Sequence, residues 1–330
     1  MTALHHSLER ACSRHLGRDL RMAALTRLSA GASSETWRAE LMDTSWSVPM
    51  KVVIQLFAGG EQYAGALDKR AQGLVQRAAH AAGVPTPRVL CVFDEEDAIG
   101  QGFVSEWQPG ETLGHRIVHD VEFSDARRDL IRQCAAALAK IHRLNPDRLP
   151  ALPTRSSADS VRSLAQSCQA FDEPMPIFEL TLRWLERNQP PVVEPRLVHG
   201  DFRIGNLLIE PTIGLRAVLD WEMAHLGDPA EDLGWLMVNA WRFGASEKKV
   251  GGIGDFEDLR KSYEAEIGYP VDPRVVRFWR VFGTLQWGMM CLWFVRQFTS
   301  GSVREIERVA IGRRISEVQV DLMNLLRDRD

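Results

Sequence analysis

No two cysteines in this chain are spaced Cys-x-x-Cys, and the five present, Cys12, Cys91, Cys134, Cys168 and Cys291, are scattered and odd in number. That argues against a disulfide framework or a thiolate zinc site and fits a reducing compartment, the cytoplasm. There is no apolar run of the roughly 20 residues that a membrane span needs. The stretch over 281–295 comes nearest, but it holds Gln286 and sits between Arg280 and Arg296, so it reads as a buried helix. The first ten residues carry two histidines and charges but no apolar core, so no signal peptide is expected. A basic excess is also missing: 40 Lys and Arg face 44 Asp and Glu, a formal net charge of −4, whereas a nucleic-acid binder would present a basic face. Repeats and low-complexity tracts do not occur. Neither does a Gly-x-Ser-x-Gly elbow, nor a Gly-x-Gly-x-x-Gly after a strand, which counts against a serine hydrolase and a dinucleotide-binding protein.

What remains is a chain of 330 residues, 45% hydrophobic and 25% charged, with the balance of a globular enzyme and room for two lobes. Residues 4–16 read as a leading helix. Apolar runs at 25–28 and 36–41 flank a turn at 29–34, and 51–57, rich in Val and Ile, makes a third strand. An Ala-rich helix over 63–82 stops at Gly83 and Pro85, and strands follow at 88–93 and 102–107. Beyond Pro109-Gly110 the pattern turns helical. Ser124 stands where it can cap a helix carrying Leu130, Cys134, Leu138 and Ile141 on one face and ending near Asn145-Pro146. Residues 150–176, rich in Pro and Ser, read in part as loop, and 178–187 as helix. Short strands at 196–198, 207–210 and 215–219 interrupt the helical half. Asp272-Pro273 then starts a helix carrying Val275, Trp279, Phe282, Gln286 and Met289.

The chemistry concentrates in His199-Gly200-Asp201-Phe202-Arg203-Ile204-Gly205-Asn206 and in Leu219-Asp220-Trp221-Glu222. Phosphoryl transfer needs a carboxylate to orient the attacking hydroxyl, oxygen ligands to hold Mg²⁺ on the phosphates, and a cation to offset charge on the transferred group. Asp201 is the candidate base, Asn206 and Asp220 are hard oxygen ligands of the kind Mg²⁺ prefers, and Arg203 can reach the γ-phosphate. The runs 207–210 and 215–219 predict a hairpin that brings Asn206 and Asp220 together. A role near the metal and a solvated role weigh equally for Glu222, and Asp228 reads as a turn residue.

This arrangement resembles the aminoglycoside phosphotransferase and choline kinase superfamily. Gly227-Asp228-Pro229, continued by Asp232-Leu233-Gly234, strengthens the likeness. The tail Ile311-Gly312-Arg313-Arg314-Ile315-Ser316-Glu317 resembles the branch related to the kinase-like domains fused to acyl-CoA dehydrogenases. The resemblance implies an α+β, two-lobed protein-kinase-like fold. Residues 1–106 would form a nucleotide-binding N-lobe with a five-stranded antiparallel sheet. Residues 107–330 would form a mainly helical C-lobe with the catalytic loop and the acceptor site. It implies ATP and Mg²⁺ as cofactors and a small-molecule hydroxyl acceptor. It also implies that His199 and Asp232 brace the loop, and that backbone groups of Glu106, Trp107 and Gln108 meet adenine. The turn at 29–34 takes the phosphate-loop position, where Ser33 or Ser34 can add a hydroxyl.

One departure stands out. The third strand of such folds carries a Lys or Arg on the phosphates, and the next helix carries a Glu that holds it. Those positions fall on Gln55 and Gln72, whose amides can bond each other. Lys51, four residues earlier on the strand, is a substitute cation if the strand is regular. The departure keeps open an alternative, a nucleotide-binding pseudokinase, against which Asp201, Asn206 and Asp220 stand intact. A hydrolase using His199 and Asp201 lacks a nucleophile. From residue 231 to 330 there are 15 acidic and 15 basic residues, too few carboxylates in excess for a polycationic aminoglycoside. The aromatics of that region, most of them core, favour an apolar or acyl acceptor.

Overall fold

The computed structural model describes residues 3–30, 34–59, 65–171, 175–302 and 306–327. The fold is α+β. Strands β1 (Leu20–Ala30), β2 (Ser34–Asp43), β3 (Met50–Phe57), β4 (Val89–Val92) and β5 (Gly102–Glu106) form one antiparallel sheet in the order β1-β2-β3-β5-β4. Alternation along β3 sorts its side chains onto two faces. Val52, Ile54 and Leu56 are buried against Leu8, Ala11 and Cys12 of helix α1 (Ala3–Leu16). Lys51, Val53 and Gln55 point to the opposite face, where α2 (Lys69–Ala81) lies: Phe103 stands opposite Gln55 in the sheet and packs against Gly73 of that helix.

α2 begins six residues later than the 63 expected. Its start is set by Asp68, whose carboxylate accepts the Ala71 N–H at 2.7 Å. Residues 60–64 lie outside the described part, as does Ser33 on the expected phosphate turn.

The helical part comprises α3 (Gly114–His119), α4 (Ser124–His142), α5 (Ser157–Gln169), α6 (Pro176–Arg187), α7 (Ala230–Leu236), α8 (Phe256–Ile267), α9 (Pro273–Thr299), α10 (Ile306–Gly312) and α11 (Ile315–Leu326). Leu130, Cys134, Leu138 and Ile141 of α4 are fully buried, as their spacing requires. Ser124 is the first residue of α4 rather than its cap; Phe123 takes the cap position with no side-chain bond. α5 occupies much of the stretch read in part as loop. Its start is written in Ser156 and Asp159, which bond each other's backbone in a capping box. α9 runs 27 residues from the cap Asp272, and its middle, over 281–295, packs against α7 and α11. Among the described residues no helix is long and apolar enough to cross a membrane.

Two small ribbons interrupt the helices. β6 (Arg196–Val198) pairs with β9 (His225–Gly227), and β7 (Leu207–Glu210) with β8 (Gly214–Val218). β9 escapes the sequence reading because it has three residues and no alternation to detect.

Candidate active site

The catalytic-loop candidates hang between the two ribbons. The β7–β8 hairpin sets Leu207 opposite Val218, and one step outward the Leu219 N–H donates to the Asn206 carbonyl at 2.8 Å. Asn206 and Asp220 are thereby carried to the same end of the hairpin, as the two apolar runs predict. Asp220 sits at φ 63°, a left-handed conformation uncommon outside glycine. Gly200, at φ 77°, passes so close to Met223 that a Cβ there would lie 2.4 Å from the Met223 carbonyl oxygen. Only glycine fits.

The loop is braced from below by Asp232, fully buried at the start of α7. Its carboxylate accepts the His199 N–H at 2.8 Å, the Gly200 N–H at 2.9 Å and His142 Nε2 at 3.1 Å. Burial alone would raise the Asp232 pKa, but the hydrogen bond and charge of His142 outweigh it and hold the carboxyl below its usual value. His199 is equally buried. Its Nε2 lies 3.1 Å from the Leu219 carbonyl and its Nδ1 accepts the Asp201 N–H at 3.2 Å. Both partners require the neutral ring protonated on Nε2, and burial lowers the His199 pKa to match. With both nitrogens engaged, His199 is a strut between the loop and the hairpin. Asp228 is a turn residue, accepting from Ala230 N–H at 2.9 Å and Trp279 Nε1 at 2.8 Å.

Asp201 is held by three donors. Oδ1 accepts Arg203 Nε at 2.9 Å and Trp235 Nε1 at 2.7 Å, and Oδ2 accepts Asn206 Nδ2 at 2.5 Å. The guanidinium of Arg203 lies over the Trp241 ring, 4.5 Å from its centre. Because Asn206 donates its amide nitrogen to Asp201, its amide oxygen is left for another partner. Burial raises the Asp220 pKa, with the charge of Asp201 adding to it. Glu222 is pushed up to about 7 by the charge of Asp220 and then by burial. Three carboxylates thus share one partly buried region, an environment that favours a bound cation.

Two further residues belong to this site: Trp235, which the sequence offers only as one of the aromatics of 231–330, and Lys69, which the sequence reading does not single out. Trp235 lies one helical turn beyond Asp232, so the spacing that turns Asp232 under the loop brings the indole onto Asp201. Lys69 is 2% exposed; burial lowers its pKa, and the charges of Asp220 and Glu222 act against that shift. Its Nζ donates to Gln72 Oε1 at 2.9 Å, while Gln72 Nε2 donates to the Leu67 carbonyl at 2.7 Å. The expected Gln55–Gln72 bond is therefore replaced: among the described residues the two amides make no hydrogen bond to each other. Lys51 does share a face with Gln55, but it is exposed and lies 5.4 Å from the centre of the Trp107 ring. Ser34 opens β2, opposite Phe57. At the junction of the sheet and the helical part, the N–H groups of Glu106 and Trp107 are bonded to the Arg88 and Lys51 carbonyls. The Glu106 carboxylate pairs with Arg88 at 2.6 Å, and Gln108 accepts from Arg216 at 3.0 Å.

A family model described as "Phosphotransferase enzyme family" matches residues 24–275. Acyl-CoA dehydrogenase family member 10 of Mus musculus is 30% identical over 169 residues, 49% of this chain and 16% of that protein, so the chain spans a small part of that relative's length. Among solved structures, a Ralstonia eutropha protein described as a candidate aminoglycoside phosphotransferase superposes with a TM-score of 0.74 at 19% identity, covering 98% of both chains. A choline/ethanolamine kinase family protein of Mesorhizobium loti gives 0.59 at 17% identity, over 92% of this chain and 88% of that one. At identities this low the likeness is one of fold.

Proposed function

This chain belongs to the phosphotransferase enzyme family, and from that premise we propose that it is an ATP-dependent kinase that transfers the γ-phosphoryl group to a hydroxyl of a small molecule in the cytoplasm. Residues 1–106 are the nucleotide-binding lobe in this reading, and 107–330 supply the catalytic loop and the acceptor site. The observation that carries it is the convergence of Asp201, Asn206 and Asp220 at one end of the β7–β8 hairpin.

Asp201 is the base. A carboxylate oxygen accepts about two hydrogen bonds, and Oδ1 already has two, so the acceptor proton is taken at Oδ2, which has only Asn206. Arg203, swung against Asp201 and Trp241, is placed to meet the transferred group. Mg²⁺ would be held by the Asn206 amide oxygen and the Asp220 carboxylate. That hard oxygen set suits it, and the unneutralised charge around Asp220 and Glu222 calls for a cation. When bound, the ion supplies charge neutralisation on the phosphates. ATP lies with adenine against the backbone at 106–108 and its phosphates toward Asp220, with the Ser34 hydroxyl as a further candidate contact.

For the acceptor we favour an apolar or acyl alcohol. Trp235 and Trp241 form the ground beneath Asp201 and Arg203, and the curated relative carries acyl-CoA dehydrogenase in its name. The test is ADP formation with a panel of hydroxyacyl thioesters, simple alcohols, choline and kanamycin-like compounds. Kanamycin outrunning the hydroxyacyl compounds would refute the acceptor class. The neutral Gln55 on β3 favours a second reading, a nucleotide-binding protein without turnover, which saturable ATP binding with no ADP formed under any acceptor would establish.

A further inference from the structure

Resting on the kinase reading above, we propose that Lys69, the first residue of α2, is the cation that contacts the nucleotide phosphates, in place of a basic residue on β3. The strand position is neutral, since Gln55 carries no charge, and Lys51 is exposed against Trp107 beside the sheet junction. Among the described residues Lys69 is the buried lysine, 2% exposed.

Its surroundings fix it there. The Leu67 N–H donates to the Glu222 carbonyl at 2.7 Å, which stitches the start of α2 to the segment that follows Asp220. The Leu67 carbonyl in turn holds the Gln72 amide, and the Gln72 carbonyl holds the Lys69 ammonium. Gln72 is thus the residue that orients the cation, the part an acidic residue plays for a strand lysine. A neutral amide suits the task here, because the ammonium already lies among the charges of Asp220 and Glu222.

An ammonium has three N–H donors. Among the described residues Lys69 uses one of them, on Gln72, and forms no ion pair. A lysine 2% exposed with two donors unspent, beside the carboxylate proposed to hold the metal, is built to receive an anion. Phosphate oxygens of ATP are the anion this site is proposed to bind.

The experiment is calorimetric titration of the whole protein with Mg²⁺·ATP, Mg²⁺·ADP and adenosine. Lys69→Met should weaken both nucleotides about ten- to a hundredfold, the range for hydrogen bonds to charged groups, and leave adenosine unchanged. An equal loss for adenosine would make Lys69 a structural residue and overturn the assignment, as would unchanged ATP affinity. Failure of the unaltered protein to bind either nucleotide would overturn the kinase reading and this assignment with it. A second measurement needs no variant: an acyl-phosphate derivative of ATP acylates amines beside the phosphates. The label should map to Lys69 and be suppressed by excess ATP. Label on Lys51 alone would overturn the proposal.

Discussion

Replacing Asp232 by Asn keeps the shape of the side chain and removes one acceptor. The carboxylate serves three buried donors, with Oδ1 on Gly200 N–H and Oδ2 on His199 N–H and His142 Nε2. His142 can adapt, because its Nδ1 neighbour is the Tyr263 hydroxyl at 2.7 Å, which both donates and accepts. The two backbone N–H groups cannot. Whichever way the amide turns, its NH₂ faces one of them, and that N–H is left unpaired against a side chain that is itself fully buried. An orphaned buried donor costs about 1–3 kcal/mol, and the surviving bonds lose their charge assistance, for a total of about 3–5 kcal/mol. The urea slope for a chain this size is roughly 3 kcal/mol per M, so the unfolding midpoint should fall by about 1 M. Because the strained donors flank Asp201, ADP formation should fall as well. A loss of stability below about 1 kcal/mol, the scale of an exposed ion pair, would refute the argument that this carboxylate organises the loop.

Asp201→Asn should lower turnover by about 10²–10⁴-fold, the usual contribution of a positioned base. It should also weaken Mg²⁺·ATP binding, since an amide at Oδ2 would turn the Asn206 amide around; near-normal turnover would remove Asp201 from the base role. Asn206→Ala and Asp220→Ala should weaken ATP far more with Mg²⁺ than without it, which calorimetry in both conditions checks. Trp235→Phe removes one of the two donors on Asp201 Oδ1, so turnover should fall about tenfold, the scale of one hydrogen bond to a charged group, with ATP affinity little changed; unchanged turnover would sever Trp235 from the base. The His199 contribution to stability should fall from pH 7 to pH 5, while Glu222, pushed up to about 7 in the folded chain, contributes in the opposite direction over the same range. His199 has a lowered folded pKa, so the unfolded chain takes up the proton first as pH drops through about 6.5. The depressed Asp232 carboxyl adds its loss only at lower pH, as pH falls through its folded value. Between pH 7 and 5, urea midpoints of His199→Gln should fall less, or rise more, than those of the unaltered protein; identical pH dependence would remove His199 from this balance.

The sequence alone determined the parts whose information is local. The convergence of Asn206 and Asp220 was legible, because two short apolar runs that fold back as a hairpin carry their flanking residues together. The sheet and the buried face of α4 follow from alternation and helical spacing, which record which side of an element meets the core, whereas α9 is buried on nearly every side over 276–289 and leaves Val275 and Gln286 of its expected face half-buried. What escaped was long-range or irregular. β9 is too short to show a period, and the start of α2 depended on one cap at Asp68. Counting along the chain reaches only the strand positions Gln55 and Lys51 when it looks for a cation near the phosphates. Only the packing of α2 on the sheet and the bond from Leu67 to Glu222 put Lys69 beside Asp220. The contact of Trp235 with Asp201 was unreadable for the same reason, and the sequence offered that residue only as one aromatic among several. Its hydrogen bond to Asp201 spans 34 residues and exists because α7 docks under the loop through Asp232. Charge and hydrogen-bond partners at this site are set by distance in space, and a sequence states distance only along the chain.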